Sequence, residues 1–186
     1  IIKQITDEIE KTDGVRLLDV DPGKATNRTV VTFVGHPKAV IEAAYQAIKK
    51  AAELIDMSKH SGEHPRMGAT DVCPLIPIAS ISMAETAEWA KKLGEMVGGP
   101  LSIPIFLYES AAAKPERKNL ATIRAGEYEG LSEKLKNPEW QPDFGPSEWN
   151  DKTGATVIGV RDILVAFNIC LNTNDEAIAK WIAAQM

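Results

Sequence analysis

Thirteen consecutive residues, Lys59-His60-Ser61-Gly62-Glu63-His64-Pro65-Arg66-Met67-Gly68-Ala69-Thr70-Asp71, constrain this chain more than any other stretch. They hold two of its three histidines, together with two cations, two acids, two glycines and a proline. Gly62 and Pro65 break a helix, and Gly68 invites a turn, so neither regular helix nor central strand can run through here. The segment is a loop, and whatever fold surrounds it must present that loop. His64 stands directly before Pro65, which biases its backbone to the extended region. An imidazole on a stiffened loop suits proton transfer near neutral pH.

On either side of the loop the pattern is regular. Ile1, Ile2, Ile5 and Ile9 recur at helical spacing over 1–11, and Asp13-Gly14 ends that helix. Residues 15–21 predict a strand stopped by Pro22-Gly23, and the β-branched run 28–35 predicts a second, antiparallel to the first. Pro37 opens an alanine-rich helix reaching about residue 56. After the loop, 72–79 predicts an edge or irregular strand, because Pro74 and Pro77 lack donors. A helix over 83–97 should end at Gly98-Gly99-Pro100, followed by a short strand at 103–108. Residues 116–136 predict helix divided near Gly126, and 137–155 predict loop. Two last strands, 156–160 and 163–171, precede a closing helix over 174–186 capped by Asn174. Strands and helices mix without strict alternation. The expected architecture is an α/β (α+β) domain with a mixed sheet and helices mainly on one face.

At 186 residues the chain is long enough for one domain with a real core, and it contains no repeat or low-complexity segment. Its formal charge of −5 argues against broad nucleic-acid binding. No apolar run reaches membrane-spanning length, and no signal peptide is visible. Cys73 and Cys170, both in apolar surroundings, predict reduced core thiols of a cytoplasmic protein. The start at Ile1-Ile2, without a methionine, predicts that the natural N-terminus lies further upstream.

His60 and His64 are four apart, the spacing of a zinc pair on a helix, but Gly62 and Pro65 interrupt that helix. Three readings stay open: a metal pair, histidines bonded to backbone groups, and a general acid/base. Cys73 admits a nucleophile reading, although its strand setting fits an inert core residue better. No glycine-rich phosphate-binding fingerprint is present. The segment Gly145-Pro146-Ser147-Glu148-Trp149-Asn150-Asp151-Lys152-Thr153-Gly154 reads as a solvated Ω-like loop or as a ligand loop with one flat aromatic surface. Arg28, Arg66, Arg124 and Arg161 are scattered; Arg66, beside the histidines, is the one placed to hold a carboxylate bidentately.

The run EHPRMGATDVCPLIPI at 63–78 closely resembles the signature of glutamate formiminotransferases, which also form the front half of mammalian formiminotransferase-cyclodeaminase. LLDVD at 17–21, TNRTVVTFVG at 26–35, IRAGEYEGL at 123–131, WQPDFGP at 140–146 and FNICL at 167–171 resemble the same family in the same order. The resemblance implies a ferredoxin-like-related N-terminal subdomain spanning 1–186. The family's first segment, a strand and an Asn-Phe-Ser-Glu-Gly turn, should precede Ile1, and a C-terminal subdomain should follow. Folate lies between the two subdomains in this family.

The implied activity is transfer of a formimino group from N-formimino-L-glutamate to N5 of tetrahydrofolate, in histidine degradation. The family motif makes His64 the catalytic histidine and 145–154 the folate loop, acting mostly through main-chain groups and Trp149. Asp21 resembles a family acid near the site, placed to orient His64 or to hold the cationic amidine. Lys59 and Arg66 would bind carboxylates of the substrate or of folate's polyglutamate tail. Tetrahydrofolate is a co-substrate, no metal is needed, and the family allows a homodimer. A stand-alone subdomain would be inactive as an enzyme. The alternative is a non-catalytic folate-binding or interaction module.

Overall fold

The β-branched run after the first turn pairs with the strand before it. In the computed structural model, β1 (Val15–Gly23) and β2 (Arg28–Gly35) form an antiparallel hairpin, in register from Val15↔Gly35 to Gly23↔Arg28, with an irregularity between Leu17 and Asp19. Side chains alternate across the pleat. Leu17, Val20, Val31 and Phe33 face inward, while Asp19, Asp21, Arg28, Val30, Thr32 and Val34 share the exposed face. The hairpin packs against α1 (Ile2–Glu10) and α2 (Pro37–Leu54). Pro37 sits in the first turn of α2, and Ile41, Ala44, Ile48 and Ala51 form its buried stripe. The structure describes residues 1–164 and 169–185.

The second half is built around a parallel sheet in the order β3-β5-β4, from β3 (Val72–Leu75), β4 (Ile105–Glu109) and β5 (Thr156–Val160). Every residue of the central β5 is buried. On one face, Leu75, Ile105, Leu107, Ile158 and Val160 pack against α2 and α3 (Met83–Leu101), whose stripe Ala90, Leu93 and Val97 is completely buried. A capping box between Ser82 and Glu85 starts α3. On the other face, Phe106, Tyr108 and Val157 meet Ile123 of α4 (Leu120–Arg124) and Leu131 and Leu135 of α5 (Glu127–Lys136). Thus the two long helices lie on one face and two short ones cover the other. Gly126, at φ 87°, separates α4 from α5 where the sequence predicts the break. Pro74 is tolerated because β3 is an edge strand. A closing helix, α6 (Glu176–Ala183), buries none of its residues.

The α/β class stands, and several details differ from expectation. The strands form two sheets rather than one mixed sheet: the outer edges of β2 and β3 are not hydrogen-bonded to each other, and a cleft separates them. α3 runs through Gly98, Gly99 and Pro100 to Leu101, because Gly98 serves packing: a Cβ there would lie 2.7 Å from Phe144 Cβ and from Gly145 N. Ser102, in the left-handed region, supplies the stop instead. β3 ends at Leu75, where its partner β5 also ends, at Val160. Asp175 rather than Asn174 caps α6, accepting from Ala177 N at 2.8 Å. Cys170 is exposed, not a core residue. Of the predicted strand over 163–171, residues 165–168 lie outside the described residues, and those flanking them form no regular structure.

Candidate functional site

The histidine loop follows a single 3₁₀ turn, Met57–Lys59, capped by Asp56, whose side chain accepts from Ser58 N at 3.2 Å. Hydrogen bonds from Lys59 and Ser58 hold the Asp56 carboxyl down at about 2. Lys59 pairs with Asp56 at 2.7 Å. Beyond the turn, the loop is clasped by the β1–β2 hairpin. Asn27, at φ 48°, donates from Nδ2 to Ser61 O at 2.8 Å and to His60 Nδ1 at 3.2 Å. Gly62 passes so close to the hairpin turn that a Cβ would lie 2.5 Å from Thr26 O.

His64 is half-buried, and its two ring nitrogens have different partners. Nδ1 lies 2.7 Å from Pro65 O, which can only accept. Nε2 contacts Arg28 Nη1, which can only donate. Together these contacts fix the tautomer: the proton sits on Nδ1, and the lone pair of Nε2 is the basic one. Asp21 stands opposite Val30 in the hairpin register, on the same exposed face as Arg28 and one diagonal step from it. His64, Arg28 and Asp21 are therefore gathered at one end of the hairpin.

The rest of the loop is tied to the second half of the molecule. Arg66 Nη2 pairs with Glu129 Oε1 at 2.6 Å and donates to His60 O at 3.2 Å, while Nη1 reaches Glu127 at 3.5 Å. The bond from Arg66 holds the Glu129 carboxyl below its usual range. Asp71 Oδ1 accepts from Met67 N at 2.9 Å, and Oδ2 pairs with Arg124. Burial pushes the Asp71 carboxyl up, and the Arg124 charge opposes that shift. Burial also pushes the Cys73 thiol up to about 12, which disqualifies it as a nucleophile. Among the described residues, no three His, Cys, Asp or Glu side chains gather as a metal-ligand set.

The segment 145–154 is fastened to the histidine loop through backbone groups. Met57 N donates to Lys152 O at 2.9 Å, Ala69 N to Thr153 O at 2.9 Å, and Ala155 N to Met67 O at 3.0 Å. Gly68 makes this approach possible, since a Cβ there would lie 2.3 Å from Ala155 O. Gly145 and Gly154 take positive φ at the two ends. Asn150 Oδ1 accepts from Lys152 N at 3.0 Å, and Ser147 Oγ donates to Gln141 Oε1. Trp149 packs on Tyr128, with ring centroids 5.0 Å apart, and the Tyr128 hydroxyl donates to Asp151 O. Pro146 and Glu148 make no contact of this kind among the described residues.

A cleft of about 2090 Å³ opens between β2 and β3. Arg28, Val30, His64, Asp71 and Cys73 line it; Asp21, Lys59 and residues 145–154 do not. The structure thus brings His64 to the cleft, and puts the 145–154 segment against the histidine loop without making it part of the cleft wall. Asn27, Arg28, Asp71 and Arg124 are the site residues that sequence reasoning passed over. For Asn27 and Arg28 the signal was the polar cluster Thr26-Asn27-Arg28 at a hairpin turn, where a turn alone needs no such chemistry; Asp71 and Arg124, 53 residues apart, carried no local signal of their pairing.

A family model described as "Formiminotransferase domain, N-terminal subdomain" matches residues 1–161. The chain belongs to the formiminotransferase family. It is 54% identical over 178 residues to formimidoyltransferase-cyclodeaminase of Mus musculus, covering 95% of this chain and 33% of that protein. It is 49% identical over 170 residues to glutamate formimidoyltransferase of Streptococcus pyogenes serotype M1, covering 91% of this chain and 57% of the relative. With the enzyme of the same name from Thermoplasma acidophilum, identity is 45% over 185 residues, 98% of this chain and 61% of the relative. The chain therefore spans a third to three fifths of these relatives. In this formiminotransferase subdomain, the matched region ends at Arg161, just past the last strand of the parallel sheet. No helix among the described residues is long and apolar enough to cross a membrane.

Proposed function

We propose that the whole protein containing this subdomain is a transferase that moves the formimino group of N-formimino-L-glutamate to N5 of tetrahydrofolate, with His64 as the general acid/base. The observation that carries the reading is the His64 tautomer. Nδ1–H is committed to Pro65 O, so Nε2 is a directed base on the wall of a cleft. In the reaction, N5 attacks the electrophilic amidine carbon and a C–N bond forms. Nε2 takes the proton from N5, leaving a tetrahedral carbon bonded to both nitrogens. The same imidazole returns that proton to the glutamate nitrogen, the second C–N bond breaks, and glutamate leaves as an amine. Asp21, on the exposed face beside Arg28, is suited to hold the cationic amidine.

The open architecture supports a site shared with further chain. The cleft exposes the edges of β2 and β3, which an extended segment could bridge by strand addition. The family's first strand has that form, and a C-terminal subdomain would supply the opposite wall. For 145–154, backbone groups and Trp149 remain the proposed folate contacts, on the flank of the histidine loop away from the cleft. Lys59 and Arg66, proposed for ligand carboxylates, would have to exchange the carboxylates of Asp56, Glu127 and Glu129 that they hold.

His64→Ala in the whole protein should lower turnover by roughly 10²–10⁴-fold while leaving folate affinity nearly unchanged. Steady-state kinetics and a folate titration measure the two separately. Turnover within a few-fold of the parent would overturn the assignment.

A further inference from the structure

We infer that Arg28 reads the α-carboxylate of the formimino donor, and that the donor frees the catalytic base by drawing Arg28 away from it. The inference rests on the formiminotransferase reading above and adds a residue and a gating step to it. Five arginines surround the histidine loop and the parallel sheet, and three of them hold a carboxylate of their own chain. Arg66 pairs with Glu129, Arg117 with Asp143, and Arg124 with Asp71. Arg161, just past β5, donates at 2.9 Å to the backbone oxygen of Asp162 and holds no carboxylate among the described residues; what distinguishes Arg28 is its contact with the ring of His64. Among the described residues no carboxylate pairs with Arg28 either; its recorded side-chain partner is the neutral Nε2 of His64. An imidazole lone pair is a poor partner for guanidinium compared with a carboxylate, which accepts two charge-assisted bonds from the fork.

Position decides which carboxylate. Nε2 must return a proton to the nitrogen that leaves with glutamate, so that nitrogen lies within hydrogen-bond reach of the ring. The leaving nitrogen and the α-carboxylate share one carbon, whereas two methylenes separate the γ-carboxylate from it. A cation in contact with Nε2 is therefore beside the α-carboxylate. Asp21 lies one diagonal step away on the same face, so the hairpin presents an anion and a cation to a ligand that carries an amidinium and a carboxylate. The hairpin turn holds the Arg28 backbone in place: Asn27 is bonded to both His60 and Ser61 of the loop, and only the Arg28 side chain needs to turn.

The contact also occupies the lone pair that catalysis requires. Nε2 has one in-plane acceptor site, and Arg28 fills it. When the guanidinium turns to the donor's carboxylate, Nε2 becomes free to take the proton of N5. The base is then exposed only when the donor is present.

The test uses the whole protein with tetrahydrofolate and three donors: N-formimino-L-glutamate, its α-carboxamide and its γ-carboxamide. The parent should use the α-carboxamide roughly 10–100-fold less efficiently than the acid, because the guanidinium exchanges two charge-assisted bonds for weaker ones to a neutral amide. Arg28→Gln should raise KM for the acid by roughly 10–100-fold and make the enzyme indifferent to the α-carboxamide change, with its response to the γ-carboxamide unaltered. Arg28→Lys should recover part of the loss, since a single charge remains without the fork. Binding of L-glutamate, followed by the ¹⁵N signal of His64 Nε2, supplies a readout without turnover: the signal should move in the parent and stay in Arg28→Gln. Undiminished α-carboxamide discrimination in Arg28→Gln, or loss of the γ-carboxamide response instead, overturns the inference while leaving the formiminotransferase reading intact. A parent that shows no formimino transfer overturns that reading, and the ¹⁵N signal then decides on its own whether Arg28 answers to an α-amino dicarboxylate.

Discussion

Arg117, packed against the parallel sheet, and Arg28, on the hairpin, are the same residue type with opposite fates. Arg117 is 1% exposed. It pairs with Asp143 at 2.8 Å, donates to Gln141 O and Glu139 O, and lies 5.3 and 5.7 Å from the ring centroids of Phe106 and Trp140. Asp143 in turn accepts from Leu107 N at 2.8 Å, so the pair locks the chain before 145–154 onto β4. Arg28, on the hairpin, has an imidazole and the cleft before it. The difference follows from coverage. The parallel sheet is packed on both faces, so a charge there must be matched within the chain. The hairpin keeps one face open, and its polar residues remain available for a ligand.

The sharpest way to break this comparison is Arg117→Met. It leaves Asp143 without its cation in a covered setting, and should cost about 3–5 kcal/mol of stability, read from denaturant unfolding. A loss below about 1 kcal/mol would mean that the pair is not the clamp described.

A matched pair of substitutions sharpens it further. Val157 is 0% exposed and Val30 is 44% exposed, although both are strand valines. Val157→Thr should cost about 1–3 kcal/mol, because the hydroxyl is buried without a ready partner. Val30→Thr should change stability by less than about 0.5 kcal/mol. Equal costs, measured in the whole protein, would show that the hairpin face is covered there.

The smallest effect concerns pH. The Asp56 carboxyl titrates at about 2 in the folded chain, below its ordinary 3.8, chiefly through its hydrogen bond from Lys59. A depressed carboxyl pKa contributes stability above the unfolded value, and that contribution is lost as pH falls through the folded one. Stability should therefore decline between about pH 4 and 2, and Asp56→Asn should flatten that part of the profile. The same slope in the variant would remove Asp56 as its source.

Much of this was legible residue by residue. Periodicity located α1, β1, β2, α2 and β5, because each is a local pattern of side chains facing one core. Gly126 and the 59–71 loop were legible because glycine and proline act on their own backbone. Gly98-Gly99 misled for the same reason. Its local signal is a helix stop, but the backbone of Phe144 and Gly145 needs the space beside Gly98, and the helix continues.

The site divides along the same line. His64 could be singled out from its neighbours Gly62 and Pro65 and from the motif around it. Its tautomer could not, because Arg28, the donor to Nε2, is 36 residues away in the chain. Nor could the engagement of Arg66 with α5, 61 residues on, or the close passage of Gly68 against Ala155. By itself the sequence determined which segments are helix, strand and loop, and which loop carries an imidazole, since backbone preference and side-chain period act over a few residues. Only the tertiary structure decided which charges are satisfied within the chain, which of them face the cleft, and that the strands form two sheets. Those outcomes depend on what lies beside each group after packing, and residues dozens of positions apart supply it.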